Sequence, residues 1–205
     1  ADMGVMLPST DMSGQDILLE NNGEDEFAPR SLVQGTHRVT DVQPGDLDGD
    51  GDLDLLVLNG TEGKDFGAPA PSERHRQGRE FITQYAGQTN VCFLSDSGYF
   101  YDVSKHCELA YAGNSRGSAW FDFDNDGDLD VAVSDYNGAG RVFENQQAAG
   151  HHWIRLQLEG AGGNRNAVGA RVAVRFGDDQ QRFDQVVCGK GFLSQNPYPL
   201  HFGLG

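Results

Sequence analysis

Apolar and polar residues in this chain alternate over short stretches, and they almost nowhere recur at the three- and four-residue spacing of an amphipathic helix. The runs DILLEN (16–21), DLLVLN (54–59), NVCFLS (90–95), YFYDVS (99–104), GSAWFDF (117–123), DVAVSD (130–135), RVFEN (141–145), HWIRLQL (152–158), ARVAVRF (170–176) and RFDQVV (182–187) are rich in β-branched and aromatic residues. Clusters of Gly, Asn and Asp separate them, and these residues favour turns. The pattern predicts an all-β protein.

One stretch occurs twice. GDLDGDGDLDLLVLN at 45–59 matches FDFDNDGDLDVAVSD at 121–135, with the leading aspartates Asp46 and Asp122 lying 76 residues apart. A second element follows each loop: NVCFLSDSGYF at 90–100 resembles DILLENNG at 16–23 with its later Phe27, and GRVFEN at 140–145 is a shortened third copy. The order is therefore the tail of one repeat, a whole repeat, and most of another. Residues 60–89 interrupt the whole repeat. They carry Lys64, Arg74, Arg76 and Arg79 and read as a long surface loop, either a contact loop or a solvated insertion.

The duplicated loop has the form D-x-D-x-D-G-D-x-D. Positions 1, 3 and 5 are Asp46, Asp48 and Asp50 in one copy and Asp122, Asp124 and Asp126 in the other. Gly51 and Gly127 stand at position 6, Asp52 and Asp128 at position 7, and Asp54 and Asp130 at position 9. Alternate residues of a tight loop turn their carboxylates toward one point, and such a set of hard oxygen donors suits Ca²⁺, with position 7 giving its backbone carbonyl. Five carboxylates in nine residues repel one another, so the loops call for two cations, one each. An EF-hand is set aside, because position 12 is Val57 or Val133 and strands follow the loops. WFDFDNDGDL also has a superficial likeness to the D-x-D of aspartate-nucleophile phosphatases. That chemistry requires an α/β sheet with Thr or Ser and Lys downstream, which this pattern lacks.

Charge sharpens the picture. The 205 residues hold 15 basic and 31 acidic groups, a net charge of −16, which excludes a nucleic-acid binder. Residues 1–150 carry −18 and residues 151–205 carry +2, which places a domain boundary near Gly150. There is no run of about 18 apolar residues to insert into a membrane. Twelve Phe, six Tyr and two Trp are too many for a disordered acidic chain, and 28 Gly fit a turn-rich β protein. The abrupt start at Ala1 reads as a processed chain or a fragment.

Cys92 and Cys107 flank what reads as a strand, a Gly turn and a second strand, a placement that predicts a disulfide with Cys188 left free. Two unrelated buried thiols are the alternative. His151–His152 precedes a strand and reads as a domain-edge pair, while His37, His75, His106 and His201 show no ligand spacing. Asn59-Gly60-Thr61 is a glycosylation sequon, a pattern common by chance.

On the D-x-D-x-D-G-x-x-D loop, the apolar strand after it and the later L-x-x-N-x-G…F element, the repeats resemble FG-GAP-like (VCBS-type) repeats. The end of the chain resembles an ASPIC/UnbV domain through Asn164…Gly169-Ala170-Arg171-Val172, Gly189…Gly191-Phe192-Leu193-Ser194-Gln195 and His201-Phe202-Gly203-Leu204-Gly205. The resemblance implies a Ca²⁺-bearing β-propeller (residues 1–150), here too short to close its ring, followed by a small β domain (151–205) in an extracellular, cell-surface or periplasmic setting. No nucleophile–base pair or cofactor fingerprint is visible. The expected function is a non-catalytic, Ca²⁺-stabilised binding, adhesion or assembly module whose partner is a protein or glycan at the cell surface or another copy of itself. The alternative is an enzyme or accessory protein of a biosynthetic pathway, with its active site outside the Asp loops.

Overall fold

The computed structural model describes residues 5–7, 17–21, 27–31, 39–60, 88–96, 99–136, 138–146, 150–177 and 180–205. Among these the regular structure is β, with one 3-10 turn at Ser104–His106. The first sheet is an antiparallel meander of β1 (Val5–Leu7), β2 (Ile17–Asn21) and β3 (Phe27–Ser31). The second runs in order through β4 (Val39–Gly45), β5 (Asp54–Asn59), β7 (Val91–Asp96) and β8 (Tyr99–Asp102), and β6 (Gln88–Thr89) pairs apart from it with β9 (Ala112–Gly113). The third holds β10 (Ser115–Phe121), β11 (Asp130–Asp135) and β12 (Arg141–Phe143). In the C-terminal part β13 (Trp153–Leu156) pairs with β16 (Leu200–Gly203), and β14 (Arg171–Phe176) with β15 (Gln180–Gln185).

These meanders are blades of a propeller that does not close among the described residues. Each Asp-rich loop joins the first strand of its blade to the second, β4 to β5 and β10 to β11. The expected runs fall on strands throughout. Six strands, β1, β3, β4, β6, β9 and β16, fall outside those runs, and β4 shows one reason: its inward positions are Asp41, Gln43 and Gly45, not apolar residues. Another, β16, is four residues long and broken by His201 and Gly203.

Every residue of β5 is buried, because the strand is covered on both faces. Leu56 and Leu58 face Cys92, Leu109, Trp120, Leu129, Val131 and Val133, the core between the two blades. Leu55 and Val57 point the other way onto Phe93, Val39, Val42, Val91 and Phe100. The C-terminal part has a core of its own around Val186, Leu200 and Phe202.

The buried faces place the sequon asparagine and correct one expectation. Asn59 is only 2% exposed, and its side-chain amide donates to the Thr89 carbonyl at 2.7 Å. Its backbone N–H donates to Asn90 Oδ1 at 3.0 Å, so the sequon asparagine is a clasp inside the blade and not a surface acceptor. Cys107 does not lie on the strand after the Gly turn. It follows the 3-10 turn, which folds back over the hairpin with the Val103 N–H donating to the Cys92 carbonyl at 3.0 Å. That fold-back sets Cys107 Sγ 3.1 Å from Cys92 Sγ, with both residues present as thiols. Cys188 is exposed and apart. The basic stretch Lys64, Arg74, Arg76 and Arg79 lies outside the described residues. No helix among the described residues is long and apolar enough to cross a membrane.

Candidate metal centres

Each Asp loop curls because alternate residues take left-handed backbone. Position 4 is Gly49 (φ 77°) or Asn125 (φ 64°), and position 6 is Gly51 (φ 89°) or Gly127 (φ 101°). Gly and Asn tolerate that region best, so position 4 was a legible signal beside the Gly at position 6. Short side-chain bonds within the turn hold it. Asp48 Oδ1 accepts from the Asp50 N–H at 3.3 Å and Asp50 Oδ1 from the Asp52 N–H at 2.7 Å. In the second loop Asp124 Oδ1 accepts from Asp126 N–H at 3.3 Å and Asp126 Oδ1 from Asp128 N–H at 3.1 Å.

The curl gathers carboxylates. Asp46, Asp48 and Asp50 bring oxygens within 4.8 Å of one another in the first loop, as do Asp122, Asp124 and Asp130 in the second. Of the expected ligands, Asp126 holds the turn. Asp52 points its carboxylate to Arg182 at 2.6 Å, and Asp128 is buried at the matching position.

Position 9 does something the sequence did not announce. Asp54 is fully buried; Oδ2 accepts from the Leu47 N–H at 2.6 Å and Oδ1 from the Ser95 N–H at 2.8 Å. Asp130 repeats this, with Oδ2 accepting from Phe123 N–H at 2.8 Å and Oδ1 from Asn145 N–H at 2.9 Å. Each position-9 carboxylate thus ties its loop to the third strand of its own blade or the residues just after it, Ser95 within β7 and Asn145 two residues past β12. Asn145 adds a link between blades by donating to the Leu47 carbonyl at 2.6 Å.

A cation fits what remains. Asp46 Oδ1 and both oxygens of Asp122 are buried without a hydrogen-bond partner, and the Asp122 side chain is only 1% exposed. Buried carboxylates in that state are costly unless a positive charge compensates them. Burial, with Asp50 and Asp48 adding repulsion, pushes Asp46 up to about 6. Burial pushes Asp54 up to about 8 despite the N–H groups of Ser95 and Leu47, which act the other way. An all-oxygen donor set with no Cys or His selects a hard divalent ion. Asp46, Asp48 and Asp50 would hold one, and Asp122, Asp124 and Asp130 the other.

The C-terminal part lies against both loops. Arg182 donates through Nε to the Gly51 carbonyl as well as to Asp52. Arg155 sits 3.6 Å from Asp122, and His201 Nε2 lies 2.9 Å from the Gly127 carbonyl. The β4 strand receives the same region: Asp41 Oδ1 accepts from the Phe192 N–H at 3.0 Å, and Gln43 Nε2 donates to the Lys190 carbonyl at 3.3 Å. No ligand spacing marked His201, Arg155, Arg182 or the Asp41–Gln43 pair. Their role exists only where two distant segments meet. A cavity of about 150 Å³ between these parts is lined by Asp46, Asp122, Trp120, Arg155, Lys190 and His201, among others.

Two family models match. Residues 5–57, which include the first Asp loop, match the FG-GAP-like repeat, and residues 160–205 match ASPIC and UnbV. A search of curated proteins returns no match. The second Asp loop lies beyond both matched ranges, and the first loop's sequence, turn geometry and position-9 clamp recur in it. The chain therefore carries FG-GAP-like repeats followed by an ASPIC/UnbV region.

Proposed function

We propose that this chain is a Ca²⁺-stabilised, non-catalytic module for binding or assembly outside the cytoplasm, at the cell surface, in the surrounding medium or in a periplasm. The observation that carries the reading is the pair of buried position-1 carboxylates, of which Asp46 Oδ1 and both Asp122 oxygens accept no hydrogen bond, each in a cluster of carboxylate oxygens. Two Ca²⁺ ions at these points would neutralise the clusters and fix the first turn of each blade. FG-GAP-like repeats are typical of extracellular proteins, which supports the setting. The partner is a cell-surface protein or glycan, or a second copy of the chain.

The same setting favours oxidation of Cys92 and Cys107 to a disulfide. An enzyme reading requires convergent polar groups remote from the Asp loops, whereas the cavity described above is lined by the loops' own Asp46 and Asp122. Calorimetric titration of the chelator-treated chain with CaCl₂ tests the proposal. Two equivalents should bind, and the melting temperature should rise with Ca²⁺ because the ion binds the folded state selectively. An absence of heat together with an unchanged melt overturns it.

A further inference from the structure

We infer that the C-terminal region is a clasp whose closure and the filling of the Asp loops by Ca²⁺ reinforce each other. The inference rests on the Ca²⁺ reading above and adds its regulation. It comes from which atoms of each loop the C-terminal region touches. The cation would take side chains at positions 1, 3 and 5 in the first loop and 1, 3 and 9 in the second, with the backbone carbonyl at position 7. The C-terminal region takes other atoms of the turns. The Gly205 N–H donates to the carbonyl of Gly49, position 4, at 3.3 Å. Arg182 Nε donates to the carbonyl of Gly51, and His201 Nε2 contacts that of Gly127, both position 6. Arg182 also holds the side chain of Asp52, position 7, away from the cluster while leaving its backbone carbonyl untouched.

Close packing adds to these bonds. A Cβ on Gly203 would collide with the Asp46 carboxylate, and one on Gly127 with the Trp153 ring. The two loops are thus pressed into their turns from outside by β13, β16 and Arg182, and drawn together from inside by the ion. An ion that fixes the turn fixes the carbonyls that the clasp bonds, and a docked clasp pre-forms the turn that the ion needs. Arg155 is the exception, since it faces Asp122, a carboxylate of the cluster itself. It opposes the ion there, and its half-exposed side chain is free to turn away.

Coupling between two binding events is reciprocal, which supplies the test. Hydrogen exchange on the full 205-residue chain reads the clasp through the amides of Phe192 and Gly205, both bonded to the repeat region. Saturating Ca²⁺ should slow their exchange by about tenfold relative to chelated protein. Arg182→Met, which keeps the aliphatic stem, should weaken Ca²⁺ binding by about tenfold in calorimetry. Removing a cation from beside an anionic site favours Ca²⁺ by Coulomb's law alone, so a loss of affinity reads the lost turn and not the lost charge. Arg155→Met should bind Ca²⁺ no more weakly than the parent. Heat of Ca²⁺ binding with unchanged exchange at Phe192 and Gly205, or with parental affinity in Arg182→Met, overturns the clasp and leaves the metal centres standing. Equal losses in both arginine variants overturn the assignment to Arg182. An absence of Ca²⁺ heat in the parent chain overturns both readings.

Discussion

Aspartates that look interchangeable in the loop sequence do different work. Asp48 is a cluster member whose carboxylate adds to the repulsion at Asp46 and Asp54. Asp54 is a buried clamp on two backbone N–H groups, one from its own loop and one from β7. Their alanine variants should separate. Asp48→Ala should leave the melting temperature of chelated protein unchanged or slightly higher, and should abolish most of the Ca²⁺-induced rise. Asp54→Ala should destabilise the chain with or without Ca²⁺, by about 3 kcal/mol, since it strands two buried donors that bonded a carboxylate. Thermal melts of both variants with CaCl₂ and with chelator check this, and parallel behaviour would refute the division of roles. The repeated spacing showed that these residues act together. It did not show which of them serve the ion and which serve the blade, because that depends on whose N–H groups come within reach.

At the scale of the element, the hairpin of β7 and β8 shows how two cysteines can be brought together by a path other than the expected one. The 3-10 turn carries Cys107 back over β7, with Ser104 Oγ accepting from the Cys92 N–H at 3.0 Å. The Cys92 S–H beside it lowers the Cys107 thiol pKa. Oxidation by a disulfide such as glutathione disulfide would then begin at Cys107, releasing one glutathione thiolate, and Cys92 would attack the Cys107 sulfur of the mixed disulfide and release the second. A non-reduced digest should give a Cys92–Cys107 peptide and a free Cys188 thiol, and reduction should cost the fold about 3 kcal/mol. Any peptide joining Cys188 to either residue would overturn the pairing. The β4 strand makes the complementary point. Its polar inward residues hide it from hydrophobic patterning, yet they are buried because Asp41 and Gln43 receive the turn at Lys190–Phe192.

Across the whole molecule, the unequal charge of the two parts takes structural form in Arg182 and Arg155, which reach from the C-terminal region to the acidic loops. Without metal the burial of these carboxylates, with repulsion adding to it, makes stability depend on pH. Asp54 has a raised folded pKa of about 8, so the folded state holds its proton more tightly than the unfolded chain does. Its contribution is present at low pH and is lost as pH rises through that value. Asp46, at about 6, acts in the same sense at lower pH, where His201, whose pKa is lowered by burial, acts in the opposite sense. The melting temperature of chelated protein should therefore fall between about pH 6.5 and pH 8.5, and Ca²⁺ should remove most of the fall by favouring the ionised carboxylates. A chelated melt that rises over this interval would contradict the assignment. Assembly belongs to the same scale. The outer edge of β12 has no further strand beside it among the described residues, and Val142 is exposed there. Sedimentation equilibrium should detect self-association, and Val142→Lys should reduce it. A monomer at all concentrations would refute edge pairing.

The all-β class, the repeat, its loop-to-strand layout and the acidic clusters were set by local sequence. Strand alternation, turn-forming Gly and Asn, and charge spacing act over a few residues and need no distant partner. The position-9 clamps, the buried Asn59, the path that brings Cys107 to Cys92, and the hold of Arg182, His201 and Gly205 on the loops were decided by tertiary structure. Each depends on two segments far apart in the chain arriving at one place, and no periodicity in either segment records the other. Gly203 shows the boundary between the two: in sequence it is one of 28 glycines, and in the fold it is the residue whose missing side chain lets β16 lie against Asp46.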